Sequence, residues 1–233
     1  ENSRWTNKDH CKQLIVKHGR DSDIVRVNLF GEFPLHSSYT ILSTAEINDF
    51  LSEPEDSEGQ AVIGVDIGGG GDKTVWAVRK GMTIVAIEEA STPSETQIID
   101  ITKRMVAKHS AVAVNIDETG IGYFIPRNLR QQIKGVEING VNFGEASPTE
   151  DCRNMRAYLY KRLKDLVGEG LKMGRNDNVR SQLVATEYSY DDRGRWQLVS
   201  KEKIIKAVGH SPDELDAIAL TCAPIKKRLP VVF

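Results

Sequence analysis

The chain has 233 residues, 39% of them hydrophobic and 27% charged, a composition suited to one large globular domain or one domain with an appendage. Lys and Arg number 31 against 33 Asp and Glu, a net charge of −2, so bulk electrostatics do not announce a nucleic-acid binder and such a role has to rest on a local patch. Cys11, Cys152 and Cys222 show no C-x-x-C spacing, which argues for reduced thiols and against a zinc site, and no apolar run approaches the ~20 residues needed to cross a bilayer.

In chain order, the first residue is Glu1 rather than Met, the expected mark of a piece of something longer, and no signal-peptide pattern comes after it. A helix is expected at residues 6–19, ended by Gly19, then an extended piece at 23–30 leading into the turn Gly31-Glu32-Phe33-Pro34. Residues 49–60 are acidic and turn-rich and read as a linker. The stretch AVIGVDIGGGGDKTVWAVR at 61–79 organises the rest of the chain. Residues 61–65 read as a buried strand with Asp66 at its tip, and four glycines at 68–71 form a turn that accepts positive φ and close approach of a ligand. A carboxylate at such a strand end needs an opposite charge, and a metal ion is one source.

Strands come next at 74–79 and 82–88, whose short connections imply antiparallel neighbours, and Pro93 opens a helix to His109. The apolar strand 111–116, interrupted by Asn115, ends in Asp117-Glu118-Thr119-Gly120-Ile121-Gly122, a second carboxylate followed by glycine. Strand alternation points Glu118 away from Asp117. Asp72 reads as a turn residue. A helix at 123–134, a strand at 136–143, a long helix at 149–167, a helix at 178–186, a hairpin at 188–199 turning on Asp191-Asp192-Arg193-Gly194, a short helix at 201–208 and a last helix at 212–223 complete the chain.

These elements give an α/β fold: a mixed five-stranded sheet, three antiparallel strands then parallel ones, with helices on both faces. If the fourth strand pairs beside the first, Asp66 and Asp117 lie side by side, and two such carboxylates require a shared proton or a cation. The third acid comes from SPDELDAIAL at 211–220. Ser211 and Glu214 suit a reciprocal cap, Pro212 suits the first helical position, and Asp213 and Asp216 share a face. Acids in a first turn are explained by the helix dipole, which favours Asp216 over Asp213 as the group that needs a cation. Arg153, Arg156 and Lys164 fall on one side of the long helix, and Arg127, Arg130 and Lys134 decorate another. These are solvated faces or, with Lys201 and the hairpin's Arg193 and Arg195, phosphate contacts without sequence preference.

GVDIGGGGDKT, NIDETGIG and SPDELDAIAL, in that order, resemble the nuclease domain of the large terminase subunit of tailed phages, a ribonuclease H-like fold, and GEFP at 31–34 resembles the segment that joins that family's ATPase to its nuclease. The resemblance implies catalytic Asp66, Asp117 and Asp216, which with Asp213 would hold two divalent ions, Mg²⁺ or Mn²⁺, for endonucleolytic cleavage of double-stranded DNA concatemers during viral genome packaging. It also implies the ATPase half of the same subunit, the small terminase subunit and the portal as partners, in the host cytoplasm and without a membrane. No GxxxxGK[ST] loop is present, because Asp72 stands where glycine should precede Lys73, so the chain reads as the nuclease half. On this reading residues 1–60 are a linker or extension and 61–233 the nuclease domain. Two alternatives share parts of the pattern: a sugar kinase of the actin-like superfamily, whose phosphate loops resemble both glycine turns, and a Holliday-junction resolvase.

Overall fold

The structure is a computed structural model and describes residues 8–20, 25–32, 39–55, 57–69, 73–119 and 123–224. Gly70, Gly71 and Asp72 of the first glycine turn, residues 120–122 of the second, and Phe33 and Pro34 lie outside the described residues, as do the first residues of the expected N-terminal helix and of the extended piece after it.

The central sheet runs in the order β4-β3-β2-β5-β6, built from β2 (Ala61–Asp66), β3 (Lys73–Lys80), β4 (Thr83–Ser91), β5 (Ala111–Asp117) and β6 (Glu137–Val141). β2, β3 and β4 are antiparallel neighbours, while β5 pairs parallel to both β2 and β6. This is the mixed sheet expected, with the fourth strand of the sheet beside its first. A second, three-stranded sheet joins β1 (Tyr39–Thr40) to the hairpin of β7 (Glu187–Tyr190) and β8 (Trp196–Leu198).

Period-two alternation divides the central sheet between two cores. On one face Ile63, Val65, Trp76, Val78, Val114 and Ile116 meet α3 (Glu95–His109) and α4 (Ile125–Gln132). On the other, Val75, Ala77 and Val141 meet α5 (Met155–Gly168), α6 (Asp177–Ala185) and α8 (Asp213–Thr221); α7 (Lys201–Val208) packs against α6. Among the described residues Trp76 is the largest fully buried side chain, and its indole N–H is satisfied by the Thr102 hydroxyl of α3 at 2.9 Å.

Side-chain caps set the starts of α3 and α5. Ser94 and Gln97 form a reciprocal capping box, so α3 begins at Glu95. The sequence pattern predicts helix already at residues 149–154, but α5 starts only at Met155, with Asn154 capping the Ala157 amide at 2.9 Å. The backbone before it is taken by the hairpin instead: the Trp196 amide donates to the Asp151 carbonyl at 2.7 Å, and the Arg153 amide donates to the Trp196 carbonyl at 2.9 Å. The expected extended piece is another correction. Arg26–Phe30 is a π-helical turn, closed by Gly31 at φ 65° and braced by an ion pair from Arg26 to Glu32 at 3.0 Å.

α1 (Lys8–His18) precedes this turn, and α2 (Thr44–Phe50) lies within the stretch assigned to an N-terminal extension. Ile41, Leu42, Ile47, Phe50 and Leu51 are buried in the core that also holds α5 and α8, so the expected division at residue 60 cuts across that core.

Candidate functional site

The site grows from one close approach. Gly64, in the middle of β2, lies directly under α8: a Cβ there would run into the Ala217 carbonyl oxygen and come within 2.9 Å of the Leu220 Cβ and the Thr221 amide nitrogen. Alternation then puts Asp66, two residues on, on the face toward α8. Asn115 marks the same face of β5 by donating to the Leu220 carbonyl at 2.9 Å, and Asp117 is two residues beyond it. The register pairs Val65 with Ile116, so the two aspartates end adjacent parallel strands side by side.

α8 is fixed at both ends. Its last carbonyls accept from Asn115, from Arg79 Nε and Nη2 onto Thr221 at 3.2 and 3.0 Å, and from Arg162 onto Cys222 at 2.8 Å, a set of donors suited to a helix C-terminus. At its start the expected Ser211–Glu214 cap is absent; Pro212 occupies the cap position with no side-chain cap bond. Gln182 of α6 supplies the missing contact, accepting from the Leu215 amide at 3.0 Å while its amide group donates to Glu214. Glu214 is further held by Lys73 Nζ at 2.5 Å, and the same ammonium reaches Glu89 at 2.8 Å.

Asp66, Asp117, Asp213 and Asp216 are all buried at this corner. Burial, and then the neighbouring Asp216, pushes the Asp66 carboxyl well above the usual range. Asp117 is also raised by burial, against the opposing pull of Thr119, whose amide and hydroxyl donate to Oδ1 at 3.0 and 2.6 Å. Burial raises Asp213 too. Asp216 differs. Burial works against its charge, but Arg156 and then Lys201 hold its carboxyl below the ordinary value. Arg156 Nε and the Tyr160 hydroxyl donate to its Oδ1 at 3.0 and 2.6 Å, and Lys201 Nζ pairs with Oδ2 at 2.7 Å.

Among the described residues, no three Asp, Glu, His or Cys groups stand together in ready metal-ligating geometry. The acid expected to need a cation most, Asp216, has two cations of its own. Asp66, Asp117 and Asp213 retain the less compensated carboxylates, a donor set of hard oxygens suited to a divalent cation such as Mg²⁺ or Mn²⁺. Cys152 and Cys222 are free and buried, and burial pushes the Cys152 thiol up to about 11. Glu118 leaves the cluster, its carboxylate lying over Gly140 where any side chain would collide with it.

The expected phosphate contacts are scattered, and this corrects the reading of one basic helix face. Arg153 precedes α5 and donates to Gln197 at 2.5 Å. Arg156 is buried on Asp216, and Lys164 donates to the Ile41 carbonyl at 2.6 Å. Lys201 sits inside the carboxylate cluster. In the hairpin, Arg195 pairs with Asp191 at 2.7 Å, Arg193 is exposed, and Trp196 is buried. Sequence reasoning misses Tyr160, Gln182 and the partnership of Arg156 with Asp216. The one signal for the last is that Arg156 and Tyr160 lie four apart on a helix.

No family model matches the sequence, and no curated protein matches it. Solved structures do. The nuclease domain of the large terminase subunit gp2 of bacterial virus Sf6 superposes with a TM-score of 0.67 at 17% identity, over 81% of this chain and 100% of that one. The large terminase nuclease of thermophilic phage G20c gives 0.57 at 17% identity over 78% and 96%, and that of Thermus phage P74-26 gives 0.57 at 16% over 78% and 94%. The chain therefore has the ribonuclease H-like fold of phage large-terminase nuclease domains.

Proposed function

We propose that the chain is a metal-dependent endodeoxyribonuclease, the nuclease part of a terminase large subunit that cuts double-stranded DNA during viral genome packaging in the host cytoplasm. The observation that carries this reading is the meeting of Asp66 and Asp117, buried on adjacent strand ends, with Asp213 and Asp216 at the start of a helix pressed onto Gly64. The fold likeness supports it. The Sf6 domain has been described with manganese and the G20c domain with magnesium.

Asp66 and Asp117 would hold two divalent ions with Asp216 and Asp213. Asp216, now paired with Arg156 and Lys201, and Asp213, the less committed of the two, would supply the α8 carboxylates. Bound there, the ions supply an activated water and charge stabilisation for both the attacking and leaving oxygens of a phosphodiester. The chain's own part is to hold the acids at fixed positions. Thr119 orients Asp117, Arg156 and Tyr160 orient Asp216, and Gln182 and Lys73 hold the start of α8. Partners on this reading are DNA, an ATPase half, a small terminase subunit and a portal. Crystals soaked in Mn²⁺ test the metal site: anomalous peaks are expected between Asp66, Asp117 and the α8 acids, and peaks only elsewhere would overturn it.

The sugar-kinase alternative is disfavoured by Lys73, which is committed to Glu214 and Glu89, and by the passage of the chain after Thr119 into α4 and the parallel strand β6 rather than into another hairpin.

A further inference from the structure

Six and seven residues after Asp117 the surface carries two aromatic rings that the fold does not use. Tyr123 is 64% exposed and Phe124 59%, their rings edge-to-face with centroids 5.1 Å apart, and among the described residues they are the only adjacent pair of exposed large hydrophobics. The next two residues, Ile125 and Pro126, are buried, as is Leu129, so α4 faces its core with other side chains. Arg127, one turn past the aromatic pair, is exposed and has no carboxylate partner among the described residues. Tyr123 comes six residues after Asp117, a chain distance of at most ~20 Å, and a DNA strand advances ~3.4 Å per nucleotide. On the nuclease reading the rings therefore stand within a length of about six nucleotides of the scissile phosphate.

Aromatic faces beside an exposed guanidinium match the two chemistries of DNA, stacked bases and phosphates. We propose that Tyr123 and Phe124 form a base-stacking wedge, with Arg127 as its phosphate anchor, that engages DNA opened or distorted next to the cleavage site. The inference rests on the nuclease reading and adds a preference to it: DNA with unpaired bases binds better than perfect duplex, because unstacking is already done.

The test uses the full chain, Ca²⁺ in place of a catalytic metal, and fluorescence anisotropy with a duplex of about 30 base pairs and the same duplex carrying a central bubble of about three nucleotides. The wild-type chain is expected to prefer the bubble by ~5-fold or more, the scale of one base stacked on an aromatic ring. Tyr123→Ala/Phe124→Ala is expected to lose that preference while keeping perfect-duplex affinity within about twofold, with unchanged thermal unfolding since both rings are exposed. Arg127→Ala is expected to weaken both substrates and to lower the salt slope by about one. A wild-type chain that cuts plasmid but shows no bubble preference, or a double variant that keeps it, overturns the wedge alone and points to a protein partner for the patch. A wild-type chain that neither binds nor cuts DNA overturns the nuclease reading and the wedge with it.

Discussion

Gly64 and Ala217 meet where a strand and a helix touch backbone to backbone, with no room for a Cβ between them. This contact sets the height of α8 above the sheet and so the distance from Asp66 to the acids of that helix. Gly64→Ala is expected to destabilise the fold by about 1–3 kcal/mol, the range for overpacking a rigid core, and to reduce activity in the fraction that folds. Urea unfolding checks it; an unchanged midpoint would show that α8 is not seated on Gly64.

Asp216 is the charge partner of Arg156 and Lys201 and, on the proposed reading, also a metal ligand, so its variants should differ from those of Asp213. Arg156→Ala leaves a buried carboxylate short of its guanidinium and is expected to cost about 3–5 kcal/mol. Asp216→Asn removes the counter-charge of Arg156 and Lys201 and is expected to lower stability together with cleavage. Asp213→Asn is expected to lower cleavage without that loss of stability. Thermal unfolding measured beside cleavage separates the three, and equal stability of the two Asn variants would contradict the assigned partnership.

Asp66 gives a pH dependence of definite sign. Its folded carboxyl is raised well above the ordinary value by burial and by Asp216, so the stability it contributes is full below the unfolded pKa and is lost as pH rises through the folded one. Metal-free Asp66→Asn should therefore unfold at a higher temperature than wild type at about pH 7, and the difference should shrink toward about pH 4, near the unfolded value of an aspartate. Mg²⁺ or Mn²⁺ should raise the wild-type midpoint and leave that of Asp66→Asn nearly unmoved. Calorimetric unfolding across pH, with and without metal, reads both.

Lys73 is the only lysine in the glycine-rich stretch, and both of its partners are carboxylates. The chain is therefore expected to bind no ATP in the presence of Mg²⁺. Titration calorimetry decides this, and micromolar binding would favour the kinase alternative.

Much of this arrangement is legible in the sequence, because it depends on local patterns. The apolar runs before Asp66 and Asp117 read as strands, and the short connections through β2, β3 and β4 specify antiparallel neighbours, since alternation and loop length act within a few residues; the parallel pairing of β5 beside β2 spans a long crossover and enters the sequence reading only as a condition. The features that escape such a reading depend on groups far apart in the chain. Gln182 replaces the expected Ser211 cap from another helix, and Arg156 reads as a surface cation until α5 packs it against Asp216. The late start of α5 has the same origin, because the hairpin claims the backbone of 151–153. Asn115 reads as a flaw in an apolar strand and proves to be a tie between the sheet and the end of α8.

On the proposed reading Asp66 and Asp117 act together through divalent metal on DNA. Supercoiled plasmid incubated with the chain at low salt, in Mg²⁺ or Mn²⁺ and in EDTA, tests it most directly alongside Asp66→Asn and Asp117→Asn. Nicking and linearisation in metal, none in EDTA, and a loss of at least ~100-fold in each variant with its fold retained is the expected result. A folded wild-type chain that leaves plasmid intact in both metals, or an Asp66→Asn variant that cuts as well as wild type, would contradict it.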